Sequence, residues 1–217
     1  GLFIEGAPIV EVDSVSRRGL DELVQKIDEI SEDIEEKKTD APSRMSIDRV
    51  FSLKGFGTIV TGTLIEGKIS VDDEMTIYPS EKKVKVRNLQ VHGCDVKTAY
   101  AGQRTAINLS NIKVSEIQRG DVIAQTGSVE ESMMIDVNIS LVEHCKKSLK
   151  HWDRIRIFHG TKQILCRIVP LNEDEIQYGK SGYAQLRLEE KIVAKKGDRF
   201  IIRSYSPMDT IGGGVII

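Results

Sequence analysis

The spacing of hydrophobic positions changes near residue 42 of the chain. From Leu20 onwards, apolar residues first recur at three- and four-residue steps, which is typical of an amphipathic helix. The apolar positions of this helix are Leu20, Leu23, Val24, Ile27, Ile30 and Ile34. Before it, the run APIVEV has the length and branching of a buried strand. We therefore expect a strand and a helix, followed by a charged linker that ends at Ala41-Pro42.

After Pro42 the pattern becomes alternating, in short runs separated by Gly, Asp and Asn. A first set extends from RMSIDRVFSL to DVIAQTG, and a second extends from MMIDVNISLV to GGGVII. Strands at such close spacing are typical of β-barrels or β-sandwiches. We predict a mainly β fold in three parts, residues 1–40, 41–129 and 130–217. Because a lone strand and helix cannot cover their own apolar face, the first part is expected to be the remnant of a larger α/β domain.

Glycines cluster in KGFGTIVTGTLIEGKI, residues 54–69, without forming a phosphate-binding loop. A P-loop has Lys and then Ser or Thr directly after its last glycine, and a dinucleotide-binding loop opens a helix. Here Lys54 precedes the glycines, Lys68 after Gly67 is followed by Ile69 and not by Ser or Thr, and the residues between the glycines are good strand formers. The stretch therefore predicts tight turns and a bend in a strand.

Composition narrows the classes of function. The net charge of −2 and the pI near 6.2 exclude a uniformly basic nucleic-acid binder but allow a local basic face. Cys94, Cys145 and Cys166 are odd in number and far apart, which predicts neither a disulfide framework nor a zinc site. A reducing, cytoplasmic location is expected. No apolar run approaches the roughly 20 residues of a membrane helix, so no membrane partner is expected.

The stretch VFSLKGFGTIVTGTLIEGKISVDDEM resembles the second-domain signature of the translational GTPases of the elongation factor Tu family. Within that family, MSIDRVFSLKGFG, AYAGQRTAINLS and TIGGGVII resemble the bacterial selenocysteine-specific elongation factors, and the likeness covers almost the whole chain. The resemblance implies that residues 41–129 and 130–217 are β-barrels corresponding to domains 2 and 3. Residues 1–40 would then be the last strand and helix of a GTPase domain.

This resemblance implies a fragment that binds selenocysteinyl-tRNA for delivery to the ribosome. In the whole protein, GTP and magnesium would be the cofactors, and a further C-terminal region would bind the selenocysteine hairpin of the messenger RNA. The P-loop and the N-K-x-D motif are absent from the chain, so the fragment is expected to have neither GTPase activity nor a cofactor. Ser14 and Val15 stand where the family has its guanine-side loop, which usually reads Ser-Ala.

Three alternatives stay open. Within the superfamily, the barrels could belong to a general elongation factor or an initiation factor. Outside it, the chain could be a non-enzymatic interaction module. An enzyme built on a barrel has little support, because the four histidines are scattered and neither a carboxylate dyad nor G-x-S-x-G is present.

Arg49 interrupts an otherwise apolar row of the strand RMSIDRVFSL. Strict alternation would point it into the barrel, where an arginine must be paired or line a pocket. From the pattern alone, an internal ion pair with Glu66 or Asp95 is the simpler interpretation. The resemblance instead implies a pocket for the aminoacyl group, formed by Asp48, Arg49 and Arg104, with His92 as a further wall. Two guanidiniums would select an ionised selenol over a neutral serine.

Basic residues are concentrated in KKSLKHWDRIRIFHG, residues 146–160. Such a run is usually a solvated face, but the resemblance implies that this barrel lies along tRNA. The implied tRNA contacts are Lys146, Lys147, Lys150, Arg154, Arg203, Thr210, Gly212 and Gly213. The glycines could equally serve a bulged closing strand, and Arg156 and His159 could belong to the barrel's own structure. Trp152 is expected in the core.

Overall fold

The computed structural model describes residues 6–34 and 36–217, which fall into two compact units, 1–36 and 37–217. The first unit contains helix α1, Leu20–Glu32, and confirms the predicted helix. Residues 7–12 do not form a strand, so that prediction is wrong. A strand needs a hydrogen-bonded neighbour, and no other strand is present among the described residues of this unit. Across the described ranges, no helix is long and apolar enough to cross a membrane.

The first half of the second unit is a closed β-barrel. Its strands are β1 Arg44–Leu53, β2 Gly57–Glu66, β3 Lys68–Ser70, β4 Glu74–Tyr78, β5 Lys82–Val91, β6 Cys94–Val96, β7 Thr98–Tyr100, β8 Arg104–Ser110 and β9 Val122–Gln125. Six of them pair in the order β4-β9-β1-β2-β8-β5, and pairing of β4 with β5 closes the ring. β6 extends the sheet from β5, β3 pairs with β7, and a short 3-10 helix spans Val114–Glu116. Aliphatic side chains at alternate positions fill the interior.

The second half is also a closed barrel. Its strands are β10 Glu131–Leu141, β11 Leu149–Lys150, β12 Arg154–His159, β13 Lys162–Pro170, β14 Glu175–Ile176, β15 Ser181–Val193, β16 Arg199–Ser204 and β17 Thr210–Ile216. The ring order is β10-β15-β13-β12-β16-β17, β11 pairs with β14, and a 3-10 helix spans Glu143–Cys145. The predicted mainly β fold with two consecutive barrels is confirmed. The domain limits at 40/41 and 129/130 stay predictions.

A β-bulge interrupts the alternation of β1. The pairing of β1 with β2 shifts register between Ile47 and Arg49, so that Asp48 is an extra residue. As a result Val50, rather than Arg49, packs against the core, and Arg49 is exposed. The prediction of an inward Arg49 is therefore wrong, because period-two alternation holds only where no residue is inserted.

The two barrels meet at a group of charged side chains, here called the interbarrel cluster: Arg44, Glu66, His159, Lys195 and Asp198. The Arg44 guanidinium donates to both oxygens of Asp198 at 2.6 and 2.7 Å, and its Nε donates to Glu66 at 2.8 Å. Lys195 Nζ donates to the same Glu66 oxygen at 2.7 Å, and His159 Nε2 lies 3.0 Å from Asp198 Oδ2. The Arg44 side chain is only 5% exposed. Glu66 thus pairs with Arg44, not with Arg49.

The interbarrel cluster should make stability depend on acid pH. Partial burial opposes ionisation of Asp198, but hydrogen bonds from Arg44, His159 and the Lys195 N–H hold its pKa well below the usual range. Because the folded-state pKa is lowered, the stabilisation is complete above the unfolded-state pKa of about 3.9 and is lost as pH falls toward the folded-state value. We expect wild type to lose about 2 kcal/mol more unfolding free energy than Asp198→Asn between about pH 5 and pH 2. Urea denaturation measures this, and an equal pH dependence of both proteins would contradict it.

Candidate functional site

The bulge in β1 places the Asp48 side chain against Arg104, the first residue of β8. Arg104 Nη1 donates to Asp48 Oδ2, and Nη2 lies 3.2 Å from Oδ1. Thr61 on the intervening strand β2 donates its hydroxyl to Asp48 Oδ1 at 2.7 Å. The three side chains lie on adjacent strands of one outer face, so the sheet register itself assembles the group.

The hydrogen bonds between Asp48 and Arg104 stabilise the charged forms of both side chains. Partial burial opposes ionisation of Asp48, but the hydrogen bonds from Arg104 and Thr61 outweigh it and lower the pKa of the carboxyl group, with a smaller electrostatic effect from Arg49. The hydrogen bond to Asp48 in turn raises the pKa of Arg104. The Arg104 side chain remains 51% exposed, so guanidinium donors that Asp48 does not use face solvent. The pair therefore presents an oriented cation that is available to an anion.

A cavity of about 210 Å³ lies beside this pair. Its lining residues are Thr61, Gln90, His92, Gly93, Arg104, Thr105 and Ala106. His92 and Gly93 form the two-residue turn between β5 and β6, with φ of 53° and 82°, as in the tight hairpin turns that match strand twist. The structure thus brings His92 and Arg104 to one cavity with Asp48 bonded behind Arg104. Arg49 does not line it.

A smaller cavity of about 100 Å³ adjoins the first and shares Gln90 and Ala106 with it. Its other lining residues are Leu53, Phe56, Ile59, Asn88 and Asn108. Asp95 accepts hydrogen bonds from the amides of Asn88 and Gln90 at 2.8 and 2.9 Å, so Asp95 orients this wall rather than pairing with Arg49.

Asn108 lines the smaller cavity and carries a buried acceptor. The residue is only 9% exposed, and its Oδ1 has no hydrogen-bond partner within residues 6–34 and 36–217. A buried acceptor beside apolar walls suits a planar group that carries an N–H donor. Sequence reasoning missed this cavity, although the exposed Phe56 in a turn was a readable signal.

Three arginines lie side by side on the outer face of the second barrel. Arg154 pairs across strands with Arg167, and Arg167 pairs with Arg187, so one residue from each of β12, β13 and β15 forms what we call the arginine row. Glu189 binds Arg154 through two hydrogen bonds of 2.8 and 2.7 Å. Only Arg154 was among the predicted residues. The other two were missed because the strand register cannot be read from the sequence.

Aromatic rings accompany the arginine row. Tyr205 lies under the guanidiniums of Arg154 and Arg156, at 4.9 and 5.4 Å from the ring centre. Trp152 lies 5.6 Å from the Arg187 guanidinium and is 46% exposed, so its predicted place in the core is wrong. Its φ of 71° in the turn before β12 directs the side chain outward. Basic and aromatic side chains interleaved in this way are typical of RNA-binding faces.

The other predicted basic residues are more scattered. Lys146 and Lys147 are exposed, and Lys150 lies 3.8 Å from Glu175. The Arg203 guanidinium lies 5.1 Å from the centre of the Phe158 ring. Contacts of these residues with tRNA stay predictions.

Gly212 and Gly213 allow close packing of the chain's own strands. A Cβ on Gly212 would lie 2.3 Å from the Ser140 carbonyl oxygen, and one on Gly213 would lie 2.8 Å from that of Phe200. The pairing of β16 with β17 also shifts register beside them, as expected for a bulged closing strand. Their contact with tRNA, and that of the exposed Thr210, remains a prediction.

Asp13 holds the loop that is predicted to lie beside guanine. Its carboxylate accepts the Val15 N–H at 2.9 Å and the Ser16 hydroxyl at 2.5 Å, and the bond from Ser16 is the main cause of its lowered pKa. The Val15 N–H is therefore already bonded, and guanine contacts of Ser14 and Val15 stay predictions. No group of His, Cys, Asp and Glu that could hold a metal ion occurs in the part of the chain that the structure describes.

Comparison with known proteins identifies both barrels. Residues 57–124 match the family model described as elongation factor Tu domain 2, and residues 136–217 match the β-barrel domain of selenocysteine-specific elongation factors. The selenocysteine-specific elongation factor of Desulfomicrobium baculatum is 39% identical over 217 residues, which is all of this chain and 34% of that protein. The chain is homologous to the selenocysteine-specific elongation factors.

Solved structures of selenocysteine-specific elongation factors have the same fold as this chain. The crystal structure of a bacterial selenocysteine-specific elongation factor superposes with a TM-score of 0.84 at 27% identity and covers 99% of this chain and 35% of that one. Apo SelB from Methanococcus maripaludis superposes with a TM-score of 0.81 at 26% identity, over 94% of this chain and 49% of that one. The predicted resemblance is confirmed. The chain spans about a third to a half of the length of these relatives.

Proposed function

We propose that this chain is the part of a selenocysteine-specific elongation factor that holds selenocysteinyl-tRNA. The observation that carries the proposal is the Asp48–Arg104 pair beside a cavity of about 210 Å³ on the first barrel. A selenol is more acidic than a thiol or a hydroxyl and is ionised at neutral pH. A guanidinium fixed by a carboxylate then binds the selenolate through charge-assisted hydrogen bonds, whereas serine brings no charge to the cavity.

Each neighbouring group has a role in this proposal. Asp48 orients Arg104 and lowers the net positive charge, so that anions in general are not attracted. His92 lines the same cavity as Arg104, and Arg49 adds a second positive charge from the exposed side of β1.

The smaller cavity fits the terminal nucleoside of the same tRNA. An aminoacyl group is esterified to the ribose of the terminal adenosine, so the base must lie next to the aminoacyl pocket. Phe56 and Ile59 offer apolar contact to a base, and Asn108 Oδ1 offers an acceptor for the exocyclic amine of adenine. The adenine would satisfy the buried acceptor, which has no partner among the residues that the structure describes.

The helical arm of the tRNA would continue along the second barrel. A cavity of about 420 Å³ with Arg119, Phe158 and Lys162 in its lining lies where the barrels join. Beyond it the arginine row faces outward, and phosphate contacts of this kind position a nucleic acid without reading its sequence. Delivery to the ribosome, with GTP and magnesium as cofactors, belongs to the same proposal for the whole protein. The nucleotide cofactor is supported by the structure of SelB from Methanococcus maripaludis in complex with the GTP analogue GppNHp.

The decisive experiment compares selenocysteinyl-tRNA with seryl-tRNA on the same tRNA body. Filter binding to the chain at a fixed, stated salt concentration should favour the selenocysteinyl form. Equal binding of the two tRNAs would indicate a general tRNA-binding module. If the chain bound neither selenocysteinyl-tRNA nor seryl-tRNA, the proposal would be overturned.

Charge reversal in the arginine row should weaken binding of every charged tRNA by a similar factor. Replacing Arg167 by glutamate removes a phosphate contact, so the slope of log affinity against log salt should decrease by about 0.7 to 0.9. Lys83→Glu makes the same charge change at an exposed position of the first barrel and should leave the slope unchanged. An unchanged slope for Arg167→Glu would show that the row is only a solvated face.

A further inference from the structure

A cavity of about 510 Å³ lies on the second barrel, and none of its lining residues belongs to the aminoacyl pocket or to the arginine row. It is lined by residues of β10 and β15 and by residues of the segment 170–180, which connects β13 to β15. Because Tyr183 of β15 lines it, we call it the Tyr183 cavity. Sites for small organic ligands usually have volumes of about 300 to 1,000 Å³. The Tyr183 cavity is therefore large enough for a ligand of the size of a nucleotide.

Three carboxamide side chains line the Tyr183 cavity. They belong to Asn138 on β10 and to Asn172 and Gln177 in the connecting segment. None of the three side chains makes a hydrogen bond with another group within residues 6–34 and 36–217. A carboxamide places a donor and an acceptor side by side, and this pattern matches the edge of a nucleobase. The cavity therefore offers hydrogen-bonding groups that a base edge can use.

Tyr183 adds an aromatic surface to these carboxamides. It pairs across strands with Asn138, and residues directly opposite each other on neighbouring strands lie on the same face of a sheet. The Tyr183 side chain is 47% exposed, so part of it is accessible to a ligand. Unpaired bases stack on aromatic side chains of this kind while polar groups bond their edges. The ring and the carboxamides together thus suit an unstacked base.

Two charged side chains complete the lining. Lys180 and Glu173 are both exposed, and neither forms an ion pair in the part of the chain that the structure describes. An ammonium group binds phosphate, whereas a carboxylate only accepts hydrogen bonds and repels anions. A phosphate that is joined to a body with hydrogen-bond donors, such as ribose hydroxyls or a base amine, fits this pair better than inorganic phosphate does.

Strand β15 connects the Tyr183 cavity to the arginine row. It carries both Tyr183 and Arg187, and both side chains are exposed. Alternation places residues two and four positions apart on one face, so the two residues lie roughly 13 Å apart along the strand at about 3.3 Å per residue. An RNA whose phosphates contact the arginine row would therefore have its neighbouring unpaired nucleotides close to the cavity.

We propose that the Tyr183 cavity is a binding site for an unpaired nucleotide. The base stacks on Tyr183, its edge bonds to the carboxamides, and Lys180 contacts the phosphate. The nucleotide comes either from an RNA that lies on the arginine row or from a free nucleoside monophosphate, since both present the same groups. The site itself does not depend on the proposed function, and only the RNA source rests on it.

The first experiment uses adenosine monophosphate (AMP) and nuclear magnetic resonance of the isotope-labelled chain. AMP should shift the signals of Tyr183 and of the carboxamides around it, and ribose 5-phosphate at the same concentration should not. Shifts at these residues are distinct from any at the smaller cavity of the first barrel. Tyr183→Phe keeps the ring and should bind as wild type does, whereas Tyr183→Leu should bind AMP at this site about tenfold more weakly.

Tyr178→Leu is the matched control for Tyr183→Leu. Tyr178 is 50% exposed and lies in the same connecting loop, but it does not line the cavity, so its replacement should leave AMP binding unchanged. If Tyr183→Leu does not fold, Asn138→Leu replaces it as the test, because it removes one carboxamide at nearly constant volume and should also weaken AMP binding.

The second experiment identifies the source of the nucleotide. An RNA hairpin with a single-stranded adenosine tail, at the 5′ or at the 3′ end, is compared with the same hairpin carrying an abasic tail. If RNA is the source, one of the adenosine tails should bind wild type about tenfold more tightly than its abasic counterpart, and Tyr183→Leu should bring this ratio toward one. Arg167→Glu should weaken both hairpins equally and preserve the ratio.

The outcomes separate this proposal from the proposed function. Base-dependent binding that is lost in Tyr183→Leu supports the site, and the experiment in which it occurs identifies the source. If neither AMP nor an adenosine tail binds in a base-dependent way, or if folded Tyr183→Leu and Asn138→Leu bind as wild type does, the nucleotide site is overturned. The preference for selenocysteinyl-tRNA over seryl-tRNA, which tests the proposed function, is unaffected by either result.

Discussion

Replacing Arg104 by methionine is expected to lower the affinity for selenocysteinyl-tRNA by about ten- to a hundredfold while seryl-tRNA binding barely changes. Methionine keeps much of the side-chain volume but removes the donors that remain after Arg104 has bonded to Asp48. The ionised selenol then faces the Asp48 carboxylate without a compensating cation. Seryl-tRNA carries a neutral side chain, so its affinity should fall only a little. Filter binding with both aminoacyl groups on one tRNA body, in the complete factor with GTP, measures the difference.

Two variants serve as comparisons for Arg104→Met. Arg87→Met makes the same substitution at an exposed position of β5 and should change neither affinity. Arg49→Met should cause a smaller loss than Arg104→Met, since Arg49 is exposed and does not line the cavity. Circular dichroism must first show that each barrel is intact. Equal losses for the two aminoacyl groups would rule out selenolate recognition by Arg104.

The barrels could be predicted because their interior positions are aliphatic at every second residue. In KQILCRIVP of β13, for example, Ile164, Cys166 and Ile168 are buried, and the residues between them are not. Alternation of this kind reports burial directly. Alternation fails to predict burial in β1, because the inserted residue Asp48 shifts Arg49 from the inward-facing positions to the outer face. Nothing in the residues of β1 alone marks the bulge, since its cause lies on the neighbouring strand.

The candidate site was predictable in its residues but not in its contacts. Asp48, His92 and Arg104 were found by resemblance, and each lies at or directly behind one cavity. Their pairing depends on the register of β1, β2 and β8, which brings together residues 56 positions apart. Arg44 and Asp198 are 154 positions apart, and no local pattern links them. Contacts between barrels depend on how two closed surfaces dock, which alternation does not encode.

Gly62 shows how one position of the glycine-rich stretch supports the site. It pairs with Ile47 directly before the register shift that adds Asp48 to β1. A Cβ at Gly62 would lie 2.2 Å from the Ser46 carbonyl oxygen and 3.0 Å from Met45 Cγ. The absence of a side chain thus lets β1 lie close to β2 at the bulge, which aims Asp48 at Arg104.

Gly62→Ala is therefore expected to lower both stability and selectivity. The free energy of unfolding should fall by about 3 kcal/mol, which is at the upper end of the usual cost of overpacking. The cost is high because the added methyl group would clash with the Ser46 carbonyl oxygen, and strand pairing prevents this backbone atom from moving away. For a chain of this size the melting temperature should fall by roughly 6–12 °C. Moving β1 away from β2 also loosens Asp48 from Arg104, so the preference for selenocysteinyl-tRNA over seryl-tRNA should decrease in the molecules that remain folded.

Gly55→Ala is the control for Gly62→Ala, because it lies in the hairpin between β1 and β2 and meets no atom within 4 Å. Its φ of 87° makes alanine unfavourable there by about 1 kcal/mol, but the strands are not forced apart. Gly55→Ala should thus lose some stability and keep full selectivity. Thermal melts followed by paired binding measurements separate the two substitutions. If Gly62→Ala melted at the wild-type temperature and kept the wild-type preference, the bulge would not be what holds Asp48 against Arg104.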